Sequence, residues 1–568
     1  MKKFITVLLA AAMSATLLAG CGSSLKDDEK GATVNVYIGN EIVDFDPAIA
    51  FTDEGAVKVL GLVYEGLTRI GDNGKVEKAL MKEYEIIEDE EEGEYKMQIE
   101  IKETKWSDGR SVSADDVVYA WKRILDPEFS NSAAPLLFDI KNARDVKMGD
   151  NSIDDLGVAA IDNTVLEIQF EEKIDYNLFL ENLACIALVP LREDVVTRYA
   201  KEGKSFGTAV TSMCSNGPFA VKGLDSGDSL MLERNVYYYR ETEKDKADAL
   251  DKYVLPYRLV VNFDADVEEN TVAYENGEIF YLGEIGLSKR ADYEKKAKVS
   301  DLLSTHSYIF NAENELFEDA DVRRGLSMAL DRNAIADIVT FADPATGLVP
   351  PAVYDKKVGD SFRKNGGDVI SASADVAGAE ALIKRASGKF TITCRDNPVE
   401  VAIAEYCKEV WEDLGYKVDV DALNIRKYRQ AYEAGDYDVI ALDYQSLSTD
   451  SFGVLAPFAT LFSGKGIDIQ NDNYDPVPFV PGYENSEYNE LIEAAFAEKN
   501  RAARSSILHE AEEMLMEDMI IMPLIFNKDA YVYNSKVLSG IDNYYYGYRD
   551  FNDLKMKNWR KYSETVAE

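Results

Sequence analysis

Histidine is scarce in this chain of 568 residues: there are two, His306 and His509. The patterns HExxH and GxxxxGK[ST] do not occur, which removes the common zinc-protease and P-loop chemistries. His509 lies in the acidic helical segment ILHEAEEMLMED and reads as a solvated helix residue. His306 stands alone in the strand-like run STHSYIFNAEN and reads as a core or cleft-wall residue. Positive charge is also short. Against 103 Asp and Glu there are 62 Lys and Arg, a net charge of -41, which excludes nucleic acid as a partner and any attachment by lying flat on anionic lipid. Cysteine is limited to five. Cys185, Cys214, Cys394 and Cys407 are widely spaced, form no CxxC pair, and read as buried thiols or at most one or two disulfides. No metal or other cofactor is expected. The acidic run EDEEEGEY at 88–95 reads as a solvated hairpin tip, and DIQNDNYD at 468–475 lacks the glycine and terminal glutamate of a calcium loop. Beyond the N-terminus, no apolar run approaches the ~20 residues of a membrane span.

What the chain does have begins at that N-terminus. Lys2 and Lys3 precede the apolar run FITVLLAAAMSATLLAG, which ends in small residues directly before Cys21. This is the pattern of an exported precursor. LLAGC resembles the lipobox of bacterial lipoproteins, which implies a signal peptide over 1–20 and lipid on the Cys21 thiol. A polar tether over 21–31 follows. The expected place is therefore the extracytoplasmic face of the cell membrane.

Length points to three or four folding units, and alternating strand-like and helix-like segments point to an α/β protein. The segment TKWSDGRSVSADDVVYAWKRILDP, Thr104–Pro127, holds four aspartates that could pass for catalytic groups. Local rules read it otherwise. Ser107-Asp108-Gly109 suits a tight turn after an alternating strand. Ser113 with Asp116 three positions later suits a capping box, Val117, Trp121, Ile124 and Leu125 recur at helical spacing, and Asp126-Pro127 ends the helix.

Five blocks in order carry a family resemblance: FDPAIAFTDEGAVKVLGLVYEGLTRIGDNGKVEKAL, KWSDGRSVSADDVVYAWKRILDP, SNGPFAVKGLDSGDSLMLERNVYYY, DVRRGLSMALDRNAI and EAEEMLMEDMIIMPLIF. The chain resembles the extracellular solute-binding proteins of family 5, the oligopeptide- and dipeptide-binding lipoproteins of ABC importers, although Val236 replaces a usual proline. The resemblance implies a two-lobed periplasmic-binding-protein type II fold with an additional domain. Lobe I would comprise 32–70, 215–305 and 526–568, the additional domain 71–214, and lobe II 306–525. It also implies a monomeric binding protein rather than an enzyme, with a short peptide held between the lobes and passed to ABC permease subunits. A non-peptide solute such as an oligosaccharide, a nickel chelate or haem is the alternative on the same fold. A surface hydrolase working through a carboxylate pair is the alternative of another class.

Contacts to the ligand are expected from Phe51, Thr52, Tyr308, Asn311, Asn424, Asp443, Tyr444 and Asp450. In many relatives a W-x-x-D motif supplies the aspartate that pairs with the peptide α-amino group. The corresponding stretch here, YDVIALDYQSLSTDSFGVLAPF, puts Tyr444 at the tryptophan and Leu447 at the aspartate. Asp443 and Asp450 are the nearby carboxylates that could substitute, and capping of the next helix at TDSF is the other role open to Asp450.

Overall fold

Val439-Ile440-Ala441-Leu442 is four apolar residues without a polar interruption, the pattern of a strand covered on both faces. In the computed structural model the strand Val439–Gln445 lies inside an 11-stranded sheet with Val439, Ile440 and Ala441 buried. The structure describes residues 30–39, 42–208, 213–225, 229–239, 253–263, 266–383, 388–469, 475–543 and 548–563. The signal peptide, Cys21 and most of the tether lie outside the described residues, as do 470–474 of the oxygen-rich segment at 468–475.

From one edge the sheet runs Lys417–Leu423, Lys389–Arg395, Val439–Gln445, Lys298–Phe310, Ile521–Tyr533, Tyr281–Leu282, Thr33–Tyr37, Arg258–Asn262, Ser229–Arg234 and Phe219–Asp225. Ala342–Pro344 pairs with Ile521–Tyr533 off this path. Lys417–Leu423 at the edge alternates, KVDVDAL, and keeps charge on its open side.

Lys298–Phe310 and Ile521–Tyr533 have 13 residues each and pair antiparallel along nearly their whole length. Among the described strands these two connect the halves of the sheet. The C-terminal part of Lys298–Phe310 pairs with Val439–Gln445, and the C-terminal end of Ile521–Tyr533 pairs with Tyr281–Leu282. The register shifts between Asp301 and Thr305, and again between His306 and Ser307. Such irregularities bend and twist a ladder, here midway along the two crossing strands.

A separate four-stranded sheet, in the order Met81–Asp89, Glu94–Ile101, Val165–Phe170, Val158–Ala160, lies wholly within 71–214. The acidic run at 88–95 is the exposed tip of its first hairpin, as expected. Beside it, Ala114–Leu125 is a helix with Val117, Trp121, Ile124 and Leu125 buried. Asp116 Oδ2 accepts from the Ser113 N–H at 2.8 Å and from the Trp106 indole at 3.0 Å. Asp108 accepts from the Arg110 N–H and pairs with Arg192 at 3.0 Å. These aspartates shape the chain.

Cys185, Cys214, Cys394 and Cys407 are free thiols, three of them buried. His509 departs from its solvated reading. It is half-buried, stacked on Phe362 with ring centroids 3.8 Å apart and 3.4 Å from Asp355. An acidic local sequence does not reveal that this face of the helix is covered by the segment around residue 362.

Candidate ligand-binding site

Two cavities lie between the halves of the large sheet and share Asp53, Arg395, Ile425 and Asp443. The hinge-side cavity, about 430 Å³, is walled by the crossing strands at His306 and from Ile525 to Ala530, with Phe526 excepted. Four helices begin on it, at Glu54, Val267, Pro398 and Ile425. Their caps show why the chain starts a helix at each place: Asp53 accepts from Ala56 N, Asp266 from Glu269 N, Asn397 from Val399 N and Asn424 from Lys427 N, at 2.9–3.1 Å. Eight carboxylate residues line this cavity against four lysines and arginines. Four helix N-termini at about +0.5 charge each offset about half of that excess. The cavity remains negative.

At the junction of the cavities stands a charged cluster. Arg395 Nη2 pairs with Asp443 Oδ2 and Arg395 Nε with Glu400. Asp443 Oδ1 lies 2.8 Å from His306 Nδ1 and accepts from Asn527 Nδ2 at 2.9 Å. Burial would raise the Asp443 pKa, but the Arg395 charge, His306 and Asn527 outweigh it and hold the carboxyl well below the usual range. Glu400 moves the other way, raised by burial against the pull of Arg395. Asp443 is therefore a carboxylate with fixed partners, still one-fifth exposed to the cleft.

The second, aromatic cavity is about 670 Å³. Phe51, Phe129, Tyr428, Tyr432, Tyr444 and Phe479 line it together with Leu447, and three cations face three carboxylates. Arg395 is held by the cluster and Arg429 lies 3.5 Å from Glu433. Lys465 is the third cation. Flat rings and a size of several hundred Å³ suit a small or extended organic ligand held by stacking and by a few polar contacts.

The structure brings together five of the eight residues expected to touch ligand. Phe51, Thr52, Asp443 and Tyr444 line the aromatic cavity, while Asn424 lines the hinge-side cavity, as Asp443 also does. Tyr444 presents ring rather than hydroxyl, because its Oη donates to Val454 O at 2.7 Å. The other three are placed elsewhere. Tyr308 is fully buried against Trp411, centroids 6.2 Å apart. Asn311 donates to Gly435 O and Tyr437 O and ties down the chain after the helix Ile425–Ala434. Asp450, 3 % exposed, pairs with Arg504 at 2.9 Å and accepts from Phe452 N at 3.0 Å, away from both cavities. Sequence reasoning had not marked Arg395, Asn527 or Lys465. No local pattern announces the first two: Asn527 bonds Ser304 and Asp443 on other strands, and Arg395 joins nearby Glu400 to Asp443 on a neighbouring strand. The two glycines of SGKG around Lys465 signal a turn but not what the turn faces.

Residues 75–466 match the bacterial extracellular solute-binding proteins, family 5 middle region. The oligopeptide-binding protein OppA of Bacillus subtilis is 26% identical over 538 residues, covering 92% of each chain. The dipeptide-binding protein DppE of the same organism is 27% identical over 557 residues, covering 93% of each. Among solved structures, the substrate-binding domain of an oligopeptide ABC transporter from Bacillus anthracis superposes with a TM-score of 0.78 at 22% identity, covering 93% of this chain and 99% of that one. That likeness shows the periplasmic-binding-protein type II fold expected from the sequence. The chain belongs to the bacterial extracellular solute-binding proteins of family 5, binding proteins and not enzymes.

Proposed function

We propose that this protein captures short peptides in the cleft formed by the two cavities and delivers them to an ABC permease, tethered outside the cell by lipid on Cys21. The observation that carries the reading is the cleft itself. Aromatic rings line one end and a net negative wall with four helix N-termini the other, a combination suited to a peptide backbone with charged ends. The oligopeptide- and dipeptide-binding relatives support peptide as the solute. Of the two carboxylates considered for the amino end, Asp443 is the one that faces the cleft. Phe51, Thr52, Asn424 and Tyr444 are its companions in this reading. Family membership supports work outside the cytoplasm, and LLAGC supports the lipid.

The division into lobe I at 32–70, 215–305 and 526–568, an additional domain at 71–214 and lobe II at 306–525 belongs to the same proposal. The boundaries at 305/306 and 525/526 fall within the two crossing strands, beside the register shifts, where a hinge would bend with least loss of pairing. Small-angle scattering on the soluble chain, with and without a saturating pool of tripeptides to hexapeptides, tests the reading. The radius of gyration should fall on saturation. Bound peptide with no compaction would remove hinge closure, and no bound peptide would remove the function. Cys21→Ala should free the protein from the membrane fraction in cells, and retention at unchanged mass would contradict the lipid anchor.

A further inference from the structure

Lys465 sits at the tip of the turn Ser463-Gly464-Lys465-Gly466, and both flanking glycines are required by the packing. Gly464 and Gly466 have φ of +70° and +73°, and a Cβ on either would fall 2.1–2.2 Å from a backbone oxygen, of Asn131 and Pro127 respectively. The turn is pinned by the Asn131 N–H to Gly464 O at 2.8 Å, by Ser463 Oγ to Val477 O at 2.6 Å and by the Val477 N–H to Gly466 O at 3.0 Å. A rigid turn therefore presents one long cationic side chain to the aromatic cavity.

Among the described residues that cation has no counter-charge in contact. Lys465 Nζ donates to Phe479 O at 2.9 Å and lies 5.7 Å from the centre of the Phe479 ring. Among the described residues no carboxylate lies within 4 Å of it, whereas Arg395 and Arg429 in the same cavity have carboxylate partners. An ammonium has three donors, and among the described residues only one of them meets a protein acceptor. Burial lowers the Lys465 pKa to about 8, consistent with a cation short of partners. Leu447 lines the same cavity and offers no carboxylate that a ligand ammonium could use.

We infer that Lys465 is a specificity-determining residue that pairs with the terminal carboxylate of the bound peptide in the aromatic cavity, so that the amino end points toward the negative hinge-side cavity. This rests on the peptide reading above and goes further, because it fixes the direction of the ligand. The charge-assisted pair supplies the missing acceptor and discriminates against ligands without an anion.

The test uses calorimetry with three pools of tripeptides to hexapeptides: one without Asp or Glu and with free carboxyl ends, its C-terminally amidated counterpart, and an amidated pool containing Asp and Glu. Wild type should bind the first at least tenfold more tightly than the second. Lys465→Arg should keep that preference, and Lys465→Met, checked for an unchanged unfolding transition, should bind both alike. Equal binding of the first two pools by wild type, or an undiminished preference in Lys465→Met, overturns the assignment. Recovery of affinity in the third pool would also overturn it, in favour of a side-chain carboxylate. Binding of none of the pools removes the peptide reading and the assignment with it, whereas peptide binding without carboxylate dependence removes the assignment alone.

Discussion

Asp450 and Asp443 stand seven residues apart on adjoining segments, yet burial gives them different work. Asp450 neutralises Arg504, itself largely buried, and holds the start of the short helix Phe452–Leu455. Asp450→Ala would leave the Arg504 charge buried and unpaired, so unfolding in urea should show a loss of ~3 to 5 kcal/mol. Peptide affinity should stay unchanged in calorimetry. A stable variant with weakened binding would return Asp450 to the ligand site. The capping half of this role was legible in TDSF, because a cap is a local pattern. The Arg504 half was not, since nothing local links a loop aspartate to a distant helix. Lys465 gives a pH prediction at the same scale. Its folded pKa, about 8, lies below the ordinary 10.5, so the empty protein carries the cost of a buried charge below pH 8 and gains stability as pH rises from about 8 to 10.5. Binding of a carboxylate needs the charged form. Affinity for the acid-free pool should therefore fall as pH rises through about 8, more steeply in wild type than in Lys465→Arg, whose remaining slope is that of the peptide α-amino group. Arg395, Arg429, Asp53, Asp443 and Glu433 also face this cavity. The arginine variant, which leaves them in place, separates their titration from that of Lys465.

At the scale of elements, the strand, turn and capped helix between Tyr95 and Leu125 were readable almost residue by residue. Every signal there acts over four positions or fewer: alternation, a Ser-Asp-Gly turn, a capping box. Asp116 joins these pieces by accepting from both Ser113 N and Trp106 Nε1. Removing it in Asp116→Ala strands the indole N–H of buried Trp106 and the partly buried Ser113 N–H, which should cost ~1 to 3 kcal/mol in a thermal or urea melt with binding unaffected. Stability within a few tenths of a kcal/mol of wild type would refute that role. The crossing strands could not be read in the same way. STHSYIFNAEN shows a strand, but its passage through both halves of the sheet and its two register shifts depend on pairing with Ile521–Tyr533, more than two hundred residues on. Three of the eight expected contacts failed to reach the cavities for a related reason. Tyr308, Asn311 and Asp450 lie next to cleft residues in sequence, and the facing of each side chain is decided by tertiary packing.

For the whole molecule, the family blocks made the fold legible, since they recur in order from Phe45 to Phe526. The charge layout of the cleft was hidden, because its carboxylates, cations and helix starts come together from segments scattered over most of the chain. A ligand that binds only the folded, closed protein should stabilise it by about 2.7 kcal/mol at one hundred times its dissociation constant. The central claim is that the cleft holds peptide. Its most direct measurement is mass spectrometry of what denaturation releases from the purified protein after exposure to the mixed tripeptide-to-hexapeptide pool and extensive washing. Short peptides of mixed sequence with free carboxyl ends are the expected result, and a single non-peptide compound, or an empty protein, would contradict the account.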